Sequence, residues 1–297
     1  MLSINWLINI NQLVNQYNLS VIVGFAVSSQ LEMVTQTAQD SGVVLFSSVS
    51  SAPVLAGRGN FTFRSGLNSG VLNPPLVEKT HEKFGYQTAA TIHLDGDTYS
   101  RLSDEAFRAA LVENGVQVLT TEAYPAGDYE AAVTRIAELN PDVLFISTLT
   151  GDIPGIMTRA RELLPSVHLI VPELTDIEVA AGAGDASEGV VTSIGWFIET
   201  DTPGNADFIQ SYTAANNGEK PVAWAAQSYA TLYILTAAIM EAYEATHSID
   251  ATAIRDALAD TMDVPTILGN FSFNEVGDAV YDPILLTVEN GEFVLFE

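Results

Sequence analysis

Up to residue 194, short β-branched and apolar runs alternate with helical patterns, and that alternation limits the folds open to this chain. Val21-Ile22-Val23-Gly24 and Val43-Val44-Leu45-Phe46 are followed by comparable runs at residues 89–93, 116–119, 143–147, 168–171 and 190–194. Helical periodicity fills the intervals, near residues 8–17, 29–41, 70–84, 100–114, 129–139, 151–164 and 176–183. An apolar run of four or five residues reads as a parallel strand buried on both faces. Strict strand–helix alternation then predicts an α/β fold of parallel sheets covered by helices on both sides. The helix stops agree, since Gly85, Asn114-Gly115 and Asn140-Pro141 each follow a helical pattern. After Trp196 the pattern changes to helices near residues 205–216, 223–244 and 251–261. The chain closes with an expected hairpin, residues 283–288 and 293–296, turning at Glu289-Asn290-Gly291-Glu292.

At 297 residues the chain has room for two domains with ordinary cores. Its 37 acidic residues outnumber 11 basic ones, for a net charge of -26. Such a surface repels phosphate backbones and anionic headgroups, which excludes nucleic acid as a partner. It also fits adaptation to high salt, where screening removes the self-repulsion. No uncharged apolar span reaches the length of a membrane crossing. Residues 223–240 come nearest and read as a buried amphipathic helix, so direct membrane insertion is not expected. Cysteine is absent, leaving neither disulfides nor thiolate chemistry. The residues after Met1 lack the basic region and cleavage site of a secretory signal.

The inventory for catalysis is thin. His81 and His247 read as solvated, and His93 and His168 as satisfied strand-end residues. None has metal-ligand spacing, so no metal is expected. The glycines from Gly182 to Gly189 fit no dinucleotide or phosphate loop, and no cofactor is expected. Asp95-Gly96-Asp97 reads as a strand-end turn first and as calcium ligands second. No nucleophile elbow is present, and no nucleophile, base and orienting group can be assembled, so the chain reads as a non-enzyme.

What remains is polar residues just past strand ends, where open α/β sheets bind ligands. Ser28-Ser29 follow the first run, and Ser47-Ser48-Val49-Ser50-Ser51-Ala52-Pro53 follow the second. Small hydroxyl residues there add donors and leave backbone N–H groups accessible, which suits a carboxylate or similar anion. Glu173, behind Pro172, sits at a crevice position where a carboxylate can meet a ligand cation. Tyr99 and Trp196 read equally as rim packing or as ligand contacts.

In this order and spacing, several segments resemble one family. They are Ile22-Val23-Gly24 with Ser28-Ser29, residues 42–53, Phe63-Arg64, residues 128–143, residues 181–189, residues 225–229, and Gly269 through Asp278. Together they resemble the extracytoplasmic solute-binding proteins of ABC transporters, of the branched-chain amino acid (Leu/Ile/Val) type. The resemblance implies a periplasmic binding protein type I fold: two doubly wound lobes joined by three hinge crossovers that close on a ligand. Lobe 1 would comprise residues 1–67 and 198–275, and lobe 2 residues 68–197 and 276–297. A first β-α-β unit of lobe 1 is expected to be missing, making the chain a fragment of marginal stability.

Carried over position by position, Ser28 and the turn Val49, Ser50 and Ser51 would hold a ligand carboxylate. Tyr99, Leu149 and Trp196 would line the pocket, and Glu173 would pair with the α-ammonium. Ser50-Ser51 stands where relatives more often carry Ala-Thr. Leu149 stands where they often carry an aromatic, which alters the pocket wall. The implied function is an extracytoplasmic, monomeric, cofactor-free subunit delivering a small amino acid to ABC permease subunits. An amide, urea or other small-carboxylate binder, or a sensor of the same fold, is the alternative.

Overall fold

The computed structural model describes residues 12–14 and 16–297. Of the helix expected at residues 8–17, residues 8–11 and 15 lie outside the described residues, and the rest are helical. The chain forms two compact units. Unit 1 holds the described residues up to Asn68 together with Gly195–Asp282, and unit 2 holds Ser69–Ile194 with Pro283–Glu297.

Unit 1 begins with β1 (Val21–Val23), α1 (Ser28–Ser41), β2 (Val44–Ser47) and β3 (Thr62–Arg64). The strands pair in parallel in the order β1-β2-β3, with Val21 beside Val44 and Phe46 beside Phe63. All four residues of β2 are buried, as a continuous apolar run requires. Gly42 ends α1 at φ +61°, and its N–H caps the Ala38 and Gln39 carbonyls. β3 was not expected: three residues, one of them Arg, give no strand signal, and pairing with β2 recruits them.

Unit 2 runs through α2 (Ser69–Phe84), β4 (Thr88–Leu94), α3 (Thr98–Glu113), β5 (Gln117–Tyr124), α4 (Glu130–Leu139), β6 (Val143–Ser147), α5 (Ile153–Leu163), β7 (His168–Ile170), α6 (Ile177–Ala181) and β8 (Val191–Ile194). The alternation of β6 shows why the sheet is covered twice. Leu144 and Ile146 pack with Val133, Ile136, Ile156 and Met157 of α4 and α5. Val143 and Phe145 pack with Leu76, Val77, Phe107 and Leu111 of α2 and α3.

The chain then returns to unit 1 as α7 (Asn205–Ala215), α8 (Ala223–Thr246) and α9 (Ala251–Ala259). An antiparallel sheet that the sequence reading missed follows, with β10 (Gly269–Phe273) between β9 (Val264–Thr266) and β11 (Ala279–Val280). Phe46, Phe63 and Phe273 meet edge to face, with ring centroids 5.1–6.5 Å apart, and tie this sheet to the parallel one. One face of α8 is buried as expected, including Ala226, Ala230, Ile234 and Ala238. Its other face, however, exposes Leu232, Tyr233, Met240 and Tyr243, so the reading of a buried helix holds for half of it.

Finally β12 (Ile284–Glu289) and β13 (Glu292–Leu295) complete unit 2. Its sheet has the order β13-β12-β8-β7-β6-β4-β5, parallel from β5 to β8, while β12 and β13 run antiparallel at one edge. The hairpin thus adds a mixed edge to a sheet expected to be parallel throughout. The units divide after Asn68, Ile194 and Asp282, whereas the sequence-derived divisions follow residues 67, 197 and 275. At the third, Asp278 bridges to Arg64 of β3, which keeps the intervening residues with unit 1.

Candidate binding site

In unit 1, the Ser-rich turn follows β2 and is held from several directions. Ser47 Oγ donates to Phe25 O at 3.0 Å and accepts from Ser50 N at 3.3 Å. Ser28, the first residue of α1, bonds Ser50 through their hydroxyls at 3.0 Å and accepts from Ala52 N at 3.2 Å. Ser28, Ser50 and Ser51 are all buried, and Val49 is half-buried. The cap residue of α1 is Val27, whose side chain accepts no hydrogen bond, so the amino end of that helix opens without a side-chain cap. Hydroxyls, turn amides and a helix amino end therefore gather at one place, a combination suited to an anion.

Two further residues support the turn. Arg64, fully buried, donates to Ser50 O at 3.2 Å and Ala52 O at 2.5 Å. Gly66 lies against the turn so closely that a Cβ there would sit 2.8 Å from Ser48 O. In the sequence Arg64 stands out only as part of the Phe63-Arg64 motif, and Gly66 carries no signal. The preceding Phe63 gave no reason to expect a buried cation, and a long-range close approach leaves no local trace.

In unit 2, the sheet order makes β4 the strand where the winding reverses, with β5 on one side and β6 on the other. Ligands of such sheets bind beyond the strand ends at that switch point. Tyr99 lies in the first turn of α3, just after β4. Asp97 caps that helix, accepting from Ser100 N at 2.8 Å, which gives the Asp95-Gly96-Asp97 turn a structural role. Leu149, just past β6, is 42% exposed. The neighbouring Thr148 is buried and hydrogen-bonded to Tyr124, so it serves the core.

Glu173 follows β7 at φ +55°, a region few non-glycine residues occupy. Its N–H donates to Ser193 O at 3.0 Å, and this bond helps hold the unusual backbone. Such strain costs about 1–3 kcal/mol and clusters at ligand sites. Ser69, at the start of α2, donates to Glu173 Oε1 at 3.3 Å. Burial first, and the Glu173 carboxylate second, push the Tyr99 phenol well above its ordinary pKa, with Ser103 as its other hydrogen-bond partner. Tyr99 therefore stays protonated at neutral pH. Ser69 escaped notice in the sequence because it reads as an ordinary helix-start serine.

Trp196 is placed differently from the other candidates. It lies 2% exposed in unit 1, with its indole N–H donated to Asn205 Oδ1 at 2.8 Å and its ring edge-on to Phe208. Its polar group is committed internally, which favours the packing reading. Two surface cavities of unit 1, of about 540 and 480 Å³, are lined by neither Ser28 nor residues 48–52.

Comparison with known proteins matches the periplasmic binding protein family over residues 7–292. The chain is 25% identical over 293 residues to the leucine-, isoleucine-, valine-, threonine- and alanine-binding protein of Pseudomonas aeruginosa, a match covering 97% of this chain and 73% of that one. A leucine-binding protein from Thermotoga maritima superposes with a TM-score of 0.90 at 19% identity, over 99% of this chain and 84% of the other. A solute-binding protein of an ABC transporter from R. palustris, solved with benzoate, gives a TM-score of 0.85 at 19% identity, over 98% and 80% of the respective chains. With the type I fold that these structures share, the chain belongs to the periplasmic binding protein family.

Proposed function

We propose that this chain is the ligand-capturing subunit of an ABC uptake system. It binds a small amino acid, a branched-chain one foremost, outside the cytoplasm, and hands it as a monomer to permease subunits without catalysing a reaction. In unit 1, Ser28 and the Val49–Ser51 turn are suited to a ligand carboxylate; in unit 2, Glu173 beside Tyr99 is suited to an ammonium group. The observation that carries this reading is the Glu173 carboxylate, half-buried, aimed by a strained backbone and bonded to Ser69. Burying both charges of a zwitterion is favourable only when each is paired, so these groups dominate affinity.

One observation favours a second reading, a small carboxylate without an ammonium group. A relative of the same fold was solved with benzoate, and Leu149 leaves the pocket wall unlike the aromatic expected there. Calorimetry of the chain in molar NaCl with L-leucine, L-isoleucine, L-valine and benzoate separates the two. The amino acids are expected to bind and benzoate to give no heat. Binding of benzoate alone establishes the second reading, and no binding of any amino acid overturns the first.

A further inference from the structure

Arg64 is fully buried in a chain with 11 basic residues and a net charge of -26. Its guanidinium divides between two tasks. Nε and Nη2 each meet Asp278 Oδ1 at 2.6 Å, and Nη1 reaches the Ser50 and Ala52 carbonyls. Asp278 is itself fixed. Asn68 Nδ2 donates to its Oδ2 at 3.2 Å, and its N–H donates to Asn274 Oδ1 at 2.9 Å. The Arg64 N–H closes the arrangement by donating to Gly277 O at 2.9 Å.

Peptide geometry gives this clamp a consequence. The described backbone has no cis peptide bonds, so each C=O and the N–H of the same peptide point opposite ways. Drawing the Ser50 carbonyl onto Arg64 therefore aims the Ser51 N–H away from it. The second anchored carbonyl, that of Ala52, precedes Pro53, which has no N–H to leave behind. A carbonyl accepting from a cation also polarises its peptide and strengthens the N–H as a donor.

We propose that Arg64 is a positioning residue for the ligand carboxylate. Held by Asp278, it sets the Ser50–Ala52 peptides so that the Ser51 N–H and the Ser28 and Ser50 hydroxyls are arranged before any ligand arrives. This rests on the carboxylate-binding reading above and extends it to the group that preorganises the turn. A planar fork that reaches two carbonyls and a carboxylate at once is a task for arginine rather than lysine.

The test uses the full chain with Arg64→Lys and, separately, Asp278→Asn. Amide hydrogen exchange is followed without ligand, and L-leucine affinity is measured by calorimetry. At residues 48–52 exchange is expected to accelerate at least tenfold more than in α1 and β2, and the leucine Kd to rise at least tenfold. Unchanged exchange at the turn, or acceleration spread evenly over unit 1, overturns the proposal. So does unchanged leucine affinity with a loosened turn. If Arg64→Lys does not fold, Asp278→Asn decides by the same criteria, since Asn keeps the shape and an acceptor. If the unaltered chain binds no leucine, the amino-acid reading fails separately. The exchange rates then decide the positioning role alone, a tenfold acceleration at the turn supporting it and unchanged rates overturning it.

Discussion

Arg64 and Asp278 stand 214 positions apart in the sequence and meet at 2.6 Å inside unit 1. Breaking a buried pair strands a charge in the interior, which typically costs about 3–5 kcal/mol. Asp278→Ala is therefore expected to lower unfolding free energy by about that amount. Denaturant titration measures it, and a loss below about 1 kcal/mol would show that solvent reaches the guanidinium.

Glu173→Gln keeps shape and hydrogen-bonding capacity but removes the charge proposed to meet an ammonium group. Losing one partner of a desolvated charged pair costs about 2–5 kcal/mol in binding. Leucine affinity should fall accordingly, while a leucine analogue lacking the ammonium charge should bind no worse than before. Calorimetry with both ligand classes reads the difference, and equal leucine affinity in the variant removes Glu173 from the pocket.

Gly66→Ala places a Cβ 2.8 Å from Ser48 O, a backbone atom that cannot swing aside. Overpacking of this kind costs about 1–3 kcal/mol. Both the melting temperature and leucine affinity should drop, because the obstructed partner is the Ser-rich turn itself. A variant that loses stability but binds normally would separate that contact from the site.

His168 gives unit 2 a response to mild acid. Burial, then the Arg161 charge, hold its pKa below 6.5, and Asp142 offsets them only in part. The ring stacks on Phe84 with centroids 4.0 Å apart. The fold prefers neutral imidazole, so the unfolded chain takes up the proton first. This contribution is fully present above pH about 6.5 and is lost as pH falls below it toward the lower folded value. His168→Gln should flatten stability between pH 7 and 5 in urea titrations, and a slope equal to the parent's would refute the assignment.

The charge of -26 sets a salt response. Raising NaCl from about 0.1 to 1 M shortens the screening length from about 10 to 3 Å, which weakens self-repulsion. The melting temperature should climb over that range. A constant or falling value would mean that the acidic surface is locally compensated.

How far the sequence could be read depended on the range of the interactions. Residues 143–147 announced a strand because four apolar side chains in a row need cover on both faces, and β6 has it. The sheet β9-β10-β11 went unread because Gly269-Asn270-Phe271-Ser272-Phe273 shows a weak pattern and owes its form to packing of Phe273 on Phe46 and Phe63. Among the candidate site residues, Ser28, Ser50 and Glu173 were legible as polar residues past strand ends. Trp196 was legible as an aromatic at such an end, but nothing local revealed Asn205 as the partner of its indole.

By itself the sequence determined what local chemistry determines: alternating strands and helices, an acidic surface, and serine turns and a glutamate just past strand ends. Only the tertiary structure decided which of those groups are braced, because a buried guanidinium finds its carboxylate and two carbonyls only when β3 and Asp278 are folded side by side. Strand order likewise emerged there, as pairing between distant segments is fixed by burial of whole faces and not by any one run of residues.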